Sequence, residues 1–165
     1  MAEIAVPEKF HLPFYKLQLS QLNTAAKAVN GDWVVRLDTG KEISCFMVWI
    51  QGRVDFISSD RESVQLSDGR GSKVKLLQLS GTPGKNCTCF EILMKFYTLG
   101  GSKWVSPGQY IQVIGQVTDL VTGVAQVKCT KLTDLSNNKH VQQMWDLEVA
   151  ELHNLLSGRI AFRDL

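Results

Sequence analysis

The sequence predicts a mainly β domain: a small closed barrel of five strands, followed by one amphipathic α-helix towards the C-terminus. Three observations carry this reading. Five segments between Cys45 and Leu132 alternate apolar and polar side chains, with the period of two that a half-buried strand requires. Two of them hold a central glycine, Gly52 and Gly115, where a strand bends or bulges so that a small barrel can close. After Asp134 the apolar period lengthens to that of a helix and stays so to about Leu156.

Taken in order, residues 1–12 read as a loose arm. Pro13 to Val29 carries Leu17, Leu22, Ala25, Ala26 and Val29. That suits either a weakly amphipathic helix or an irregular packed segment, ended by Asn30-Gly31. Trp33 to Leu37 is a short strand before a turn at Asp38-Thr39-Gly40. The first barrel strand runs from Cys45 to Ile57. Phe46, Val48, Ile50, Val54 and Phe56 share its core parity, and Met47, Trp49, Gln51, Arg53 and Asp55 the other. Arg61 to Leu66 and Lys73 to Leu79 are the second and third strands, joined at Ser67-Asp68-Gly69. Pro107 to Val117 is the fourth, with Ile111, Val113 and Val117 on one parity. Val124 to Leu132 is the fifth, with Ala125, Val127, Cys129 and Lys131 on the inward parity.

Residues 80–106 form an insertion between the third and fourth strands. Thr88 and Glu91 have capping-box spacing, Cys87 and Ile92 fall at the staple positions, and Gly100 suits a helix end. A helix over Thr88–Leu99 is therefore expected, with a loop or hairpin as the alternative. Five strands with a helix in this connection indicate an OB-fold.

The C-terminal helix, residues 136–156, begins at a cap supplied by Ser136, Asn137 or Asn138, and Ser157-Gly158 stops it. Residues 157–165 are then a tail. At about 100° per residue, Val141, Met144, Trp145, Val149, Leu152, Leu155 and Leu156 fall on one broad stripe, and Glu148 lies inside it. Asp146, Ala150, His153 and Asn154 lie away from it. A carboxylate buried alone is costly. Glu148 therefore either sits at a rim that water reaches or pairs with a cation across an interface.

Composition excludes more than it selects. The chain is 44% apolar and 21% charged, ordinary for a globular protein. A net charge of +2 is weak for a DNA-coating domain. The second and third strands, "RESVQLSD" and "KVKLLQLS", have no aromatic for base stacking, so direct nucleic-acid binding is expected to be weak or absent. No apolar run approaches ~18 residues, so no membrane-crossing helix is expected, and the N-terminal residues lack a signal-peptide core. Of the four cysteines, only Cys87 and Cys89 are close, and no second pair follows at zinc spacing. Reduced structural thiols in an intracellular protein are expected. His11, His140 and His153 are scattered, and no phosphate loop, H-E-x-x-H or G-x-S-x-G occurs. Nothing calls for an enzyme, a cofactor or a metal.

Three blocks carry a family likeness: "VWIQGRV" from Val48, "SPGQYIQVIGQV" from Ser106, and "KLTDLSNNKHVQQMWDLEVAELH" from Lys131. They resemble the RecQ-mediated genome instability protein 2 family, the small OB-fold subunits of the RMI complex. The resemblance implies a nuclear, non-catalytic scaffold that pairs as a heterodimer with the C-terminal OB-fold of the large RMI subunit. It implies an assembly with a RecQ helicase and topoisomerase III that dissolves double Holliday junctions, and docking of a Fanconi anaemia helicase peptide. The partner-binding residues expected are Val141, Met144, Trp145, Glu148, Val149, Leu152 and Leu155, with Trp145 as aromatic anchor. The resemblance adds Lys131 and Lys16, and Trp49 joins them because its parity opposes the core. The other reading is a single-stranded nucleic-acid-binding OB-fold of the replication protein A type.

Overall fold

The computed structural model describes residues 14–79 and 105–158. The expected N-terminal arm, the helix expected at Thr88–Leu99 and the tail beyond residue 158 lie outside the described residues.

The N-terminal segment is the irregular alternative. It forms a short strand β1 (Tyr15–Lys16), one helical turn α1 (Leu19–Leu22) and a short strand β2 (Ala26–Lys27). Leu17, Leu19 and Leu22 are fully buried, while Val29, counted above with the apolar set, points wholly into solvent. β2 pairs with β3 (Trp33–Arg36), which forms a hairpin with β4 (Glu42–Cys45). These three make a small separate sheet.

The barrel follows: β5 (Met47–Ile57), β6 (Ser63–Ser67), β7 (Lys73–Leu77), β8 (Tyr110–Val121) and β9 (Val124–Asp134). Their order is β5-β6-β7-β9-β8, and pairing of β5 with β8 closes the ring. The β7–β9 pairing is parallel and the other four are antiparallel. This is the five-stranded OB arrangement that the sequence predicts. β1 adds to the outside of β5 in parallel, Lys16 opposite Trp49. The last two strands run beyond their expected ends. Thr122 and Gly123 both take positive φ, 49° and 77°, which suits the tight two-residue turn between twisted strands.

Three of the inward parities read from the sequence are shifted by irregularities in the chain. At Phe46 the chain bends between β4 and β5. Cys45 and Val48 are both buried, and Phe46, expected in the core, is exposed. In β5, Val54 faces Leu66 but Phe56 faces Gln65, so Asp55 is an extra residue. A one-residue bulge turns every later side chain to the other face. Phe56 is therefore 61% exposed, and its neighbour Ile57 turns towards the core instead. In β9, Cys129 faces Gly115 but Lys131 faces Ile114, so Thr130 is extra. Lys131 moves to the outside and Leu132 takes the inward place, 4% exposed.

The two central glycines act differently. Gly115 sits at the β8–β9 bulge, where a Cβ would collide with the Lys128 carbonyl oxygen and lie 2.6 Å from Val127 Cγ1. Gly52 marks no bulge. A Cβ there would come within 2.9 Å of the Ser67 carbonyl oxygen, so this glycine allows close approach of β6 to β5.

Candidate functional site

The C-terminal helix α2 spans Lys139–Leu156. Its start is set locally. The Asn138 side chain accepts a hydrogen bond from the Val141 amide at 3.2 Å, and Gln142 Nε2 donates to the Leu135 carbonyl at 2.7 Å. At the other end the Gly158 amide reaches the Leu155 carbonyl at 3.1 Å, with Gly158 left-handed.

The helix lies over the N-terminal segment and the outer side of β5. Its seated face is Trp145, Val149 and His153, one turn apart, which are 3%, 2% and 2% exposed. The Trp145 ring packs against Trp49, with centroids 6.3 Å apart, and Phe14 meets Trp49 edge-on at 5.5 Å. Lys16 Nζ lies 4.6 Å from the centre of the Trp49 ring and 5.8 Å from that of Trp145. The same ammonium donates to Glu148 Oε2 at 2.8 Å. The Glu148 carboxylate thus finds a cation on its own chain, from β1. Both side chains are partly exposed, so the pair sits at the edge of the seat.

Two further clasps hold the helix. Midway along it, Asp146 accepts from Gln18 Nε2 at 2.9 Å and pairs with Arg70 of the β6–β7 loop. At its end, the Lys41 ammonium donates to the Leu156 carbonyl, and Thr39 and Ser157 share a hydroxyl hydrogen bond. A cation suits that position, where the helix's unpaired carbonyls gather.

By helical period His153 falls off the apolar stripe, yet it is the most buried polar group of the helix. Its Nε2 lies 2.9 Å from the Lys16 carbonyl oxygen, which can only accept. Nε2 therefore carries the proton, and Nδ1 accepts from Gln21 Nε2 at 3.4 Å. The spacing of Trp145, Val149 and His153 was the available signal; polarity hid it. Burial lowers the pKa of His153 below its usual value, against smaller raising effects of the Lys16 carbonyl and the Asp38 charge. A histidine with a lowered folded pKa binds its proton more readily unfolded. Its contribution is thus complete above the ordinary pKa of ~6.5 and is lost as pH falls through the lowered value. Thermal melts should show stability falling as pH drops from 7 towards 5. His153→Gln should flatten that slope, and an equal slope in both proteins would refute the assignment.

The seat is not fully satisfied. The indole N–H groups of Trp49 and Trp145, and Oε1 of Gln51, are buried with no hydrogen-bond partner among the described residues. Buried polar atoms are rarely left so, and three on one face mark it as distinct from the barrel interior.

The other sequence-selected residues divide. Lys16, Trp49, Trp145, Glu148 and Val149 come together in the seat. Val141, Met144, Leu152 and Leu155 are only half-buried. Lys131 stands on the outer face of β9. It shares an outer row with Lys16, Trp49 and Ile114, which are successive neighbours across β1, β5, β8 and β9. Trp145, expected to anchor a partner, is turned into this chain's own barrel.

Among the described residues no His, Cys, Asp and Glu side chains cluster as metal ligands, and no helix is long and apolar enough to cross a membrane. Burial pushes the Cys45 thiol up to about 11 and the Cys129 thiol up to about 12, so both stay protonated and unreactive at neutral pH. What the site offers is surface. The half-buried flank of α2 is centred roughly 90° around the helix from its seated face.

Comparison with known proteins gives this surface a context. The model of the family described as RecQ-mediated genome instability protein 2 matches residues 13–153. The protein of that description from Gallus gallus is 31% identical over 146 residues, covering 87% of this chain and 94% of the relative. The Mus musculus protein is 28% identical over 145 residues, covering 86% and 83%. Among solved structures, a chain of the S. pombe Stn1–ten1 complex superposes with a TM-score of 0.54 at 13% identity, covering 87% of this chain and 91% of that one. A chain of a replication protein A heterotrimer bound to single-stranded DNA also gives 0.54, at 14% identity and 85% and 94% coverage. At such identities these two matches establish the OB-fold and nothing further.

Proposed function

The chain belongs to the RecQ-mediated genome instability protein 2 family, and from that premise we propose that it is a non-catalytic scaffold subunit. In this reading it pairs through its OB-fold and α2 with the C-terminal OB-fold of a large RMI subunit. The pair stabilises a nuclear RecQ helicase–topoisomerase III complex that dissolves double Holliday junctions during recombination and repair. A Fanconi anaemia helicase peptide is a further partner of the pair.

One observation carries the proposal. The apolar stripe of α2 is wider than its own barrel uses. Trp145, Val149 and Leu156 meet the chain's own core or seat, while Val141, Met144, Leu152 and Leu155 stay half-exposed beside the Lys16–Glu148 pair. Leu147, next to them, is largely exposed. A helix that served only its own fold would gain by burying this flank or by carrying polar residues there.

Co-expression with a candidate large subunit, followed by size-exclusion chromatography, tests it. One peak holding both chains in equal amounts is the expected result. Separate elution of two folded chains would sink the proposal.

A further inference from the structure

We propose that a cleft between the small sheet and the end of β8 is a docking site for an acidic peptide segment of a partner protein, one that carries bulky apolar side chains between its carboxylates. The cleft arises from the bend at Phe46. β5 pairs with β8 as far as Met47 opposite Gln116, and beyond that pair β4 turns away with β3. The opening left there measures about 380 Å³. Pockets that hold ligands run from roughly 300 to 1,000 Å³. Trp33, Cys45 and Phe46 line it from the small sheet and the bend, and Val117 lines it from β8. None of the lining residues belongs to α2, so the proposal is independent of the pairing through that helix.

Two apolar side chains that the sequence assigns to packed positions stand at this cleft instead. Phe46 is 67% exposed in its lining. Val29 is fully exposed in the β2–β3 turn, and the next residues of that turn, Asn30, Gly31 and Asp32, line the cleft. The turn is tied to itself. The Ala28 amide donates to the Asp32 carbonyl at 2.8 Å and the Gly31 amide to the Ala28 carbonyl at 2.9 Å. Asn30 Nδ2 donates to the Asp32 carboxylate at 2.8 Å, and the Asp32 amide donates to Asn30 Oδ1 at 3.1 Å. Val29 is therefore held outward by a fixed turn. A turn that served only its own fold would carry a polar residue, glycine or proline there. Trp33, half-buried against the core, adds an aromatic wall between them.

Charge complementarity selects the occupant. Lys27 stands opposite Trp33 in the small sheet, its ammonium 5.8 Å from the ring centre. It is exposed and forms no ion pair or hydrogen bond among the described residues. The carboxylate in the lining, Asp32, is already engaged by Asn30. The cleft thus offers an uncommitted cation beside aromatic and apolar surface. A ligand carboxylate answers Lys27, and a neighbouring Phe or Leu side chain covers Phe46 and Val29. An extended chain touches both of these side chains at once, whereas a small molecule held inside the cleft leaves Val29 bare. A lone lysine is no track for a phosphate backbone, which requires several cations in line. A basic peptide sets like charge against Lys27.

The test uses the full chain, alone and co-expressed with its large subunit, and the fluorescein-labelled peptide Glu-Asp-Phe-Glu-Asp-Leu as probe. Fluorescence anisotropy is followed at low and at high salt. Binding that weakens with salt is expected, because the charge of Lys27 is exposed. Phe46→Ser should weaken it by about tenfold, the loss of one apolar anchor, and Val29→Ser by about threefold. Lys27→Glu should abolish binding of this peptide and admit its counterpart with lysines in place of the acids. All three positions are exposed, so melting temperatures should stay unchanged and co-elution with the large subunit intact. A failure of the pairing would appear in co-elution and leave peptide binding by the lone chain untouched. The proposal is overturned if no binding is seen up to about millimolar protein, or if the Phe46 and Lys27 variants bind like the wild type. Equal binding of the lysine counterpart by the unchanged chain overturns it too. Concentration-dependent dimers that Phe46→Ser dissolves would assign the cleft to a second copy, against the proposal.

Discussion

Replacing Met144 and Leu155 together by aspartate should abolish co-purification with the large subunit and leave the isolated chain folded. Both side chains lie on the half-buried flank of α2, away from the face that Trp145, Val149 and His153 press onto the barrel. In the free chain, water reaches the new carboxylates, so the expected stability change is no more than about 1 kcal/mol. In the pair, each carboxylate would be desolvated against an apolar partner surface. A central interface residue is worth about 2 kcal/mol or more when truncated, and an unpaired buried charge costs further. Two such losses correspond to roughly a thousandfold weaker binding. Affinity capture of the co-expressed partner, with a thermal melt of the isolated variant, reads both halves of the prediction. Undiminished capture would remove the flank from the interface, and a collapsed melt would show it to be part of the fold.

Trp145→Ala should do the reverse. This ring is 3% exposed in the chain by itself, packed at a tilt against Trp49 and under the reach of Lys16. Truncating a buried Trp to Ala costs about 3–5 kcal/mol through lost burial and the cavity left behind. That is a large part of the roughly 5–15 kcal/mol that holds a domain together. Urea unfolding of the isolated chain should therefore shift strongly before any partner is added. Pairing would then fall as a consequence of the lost seat, with Trp145→Phe keeping most of both. An unchanged midpoint for Trp145→Ala would mean that the ring is not seated as described. On the sequence alone these two experiments look alike, because Met144, Trp145 and Leu155 belong to one stripe.

The fold was legible in outline because a strand and a helix each announce themselves by local period. Val48 and Ile50, Val64 and Leu66, Val74 and Leu76, Ile111 and Val113, Ala125 and Val127 alternate as expected and all are buried. The helix begins after an Asn cap and ends before a glycine, as its boundaries suggested. Of the candidate site, Lys16, Trp49, Trp145 and Glu148 were selected from the chain and do meet. His153 and Gln21 were not, since a polar residue in an apolar seat has no periodic signature. Arg70 and Lys41 clasp the helix from loops whose sequence says nothing about what they face.

The number of barrel strands, the positions where glycine is needed and the width of the apolar stripe on α2 can all be read along the chain. These depend on relations among residues a few positions apart. Which side of each element faces in is set by the folded chain as a whole. A single extra residue in β5 sends Phe56 outward, and one in β9 does the same to Lys131. The rotation of α2 about its axis is set by contacts from far along the chain, such as Lys16 with Glu148, 132 positions apart. A stripe too wide for one surface must leave part of itself outside. Which part it leaves is decided by the shape and charge of the barrel it lands on, and that information is not local.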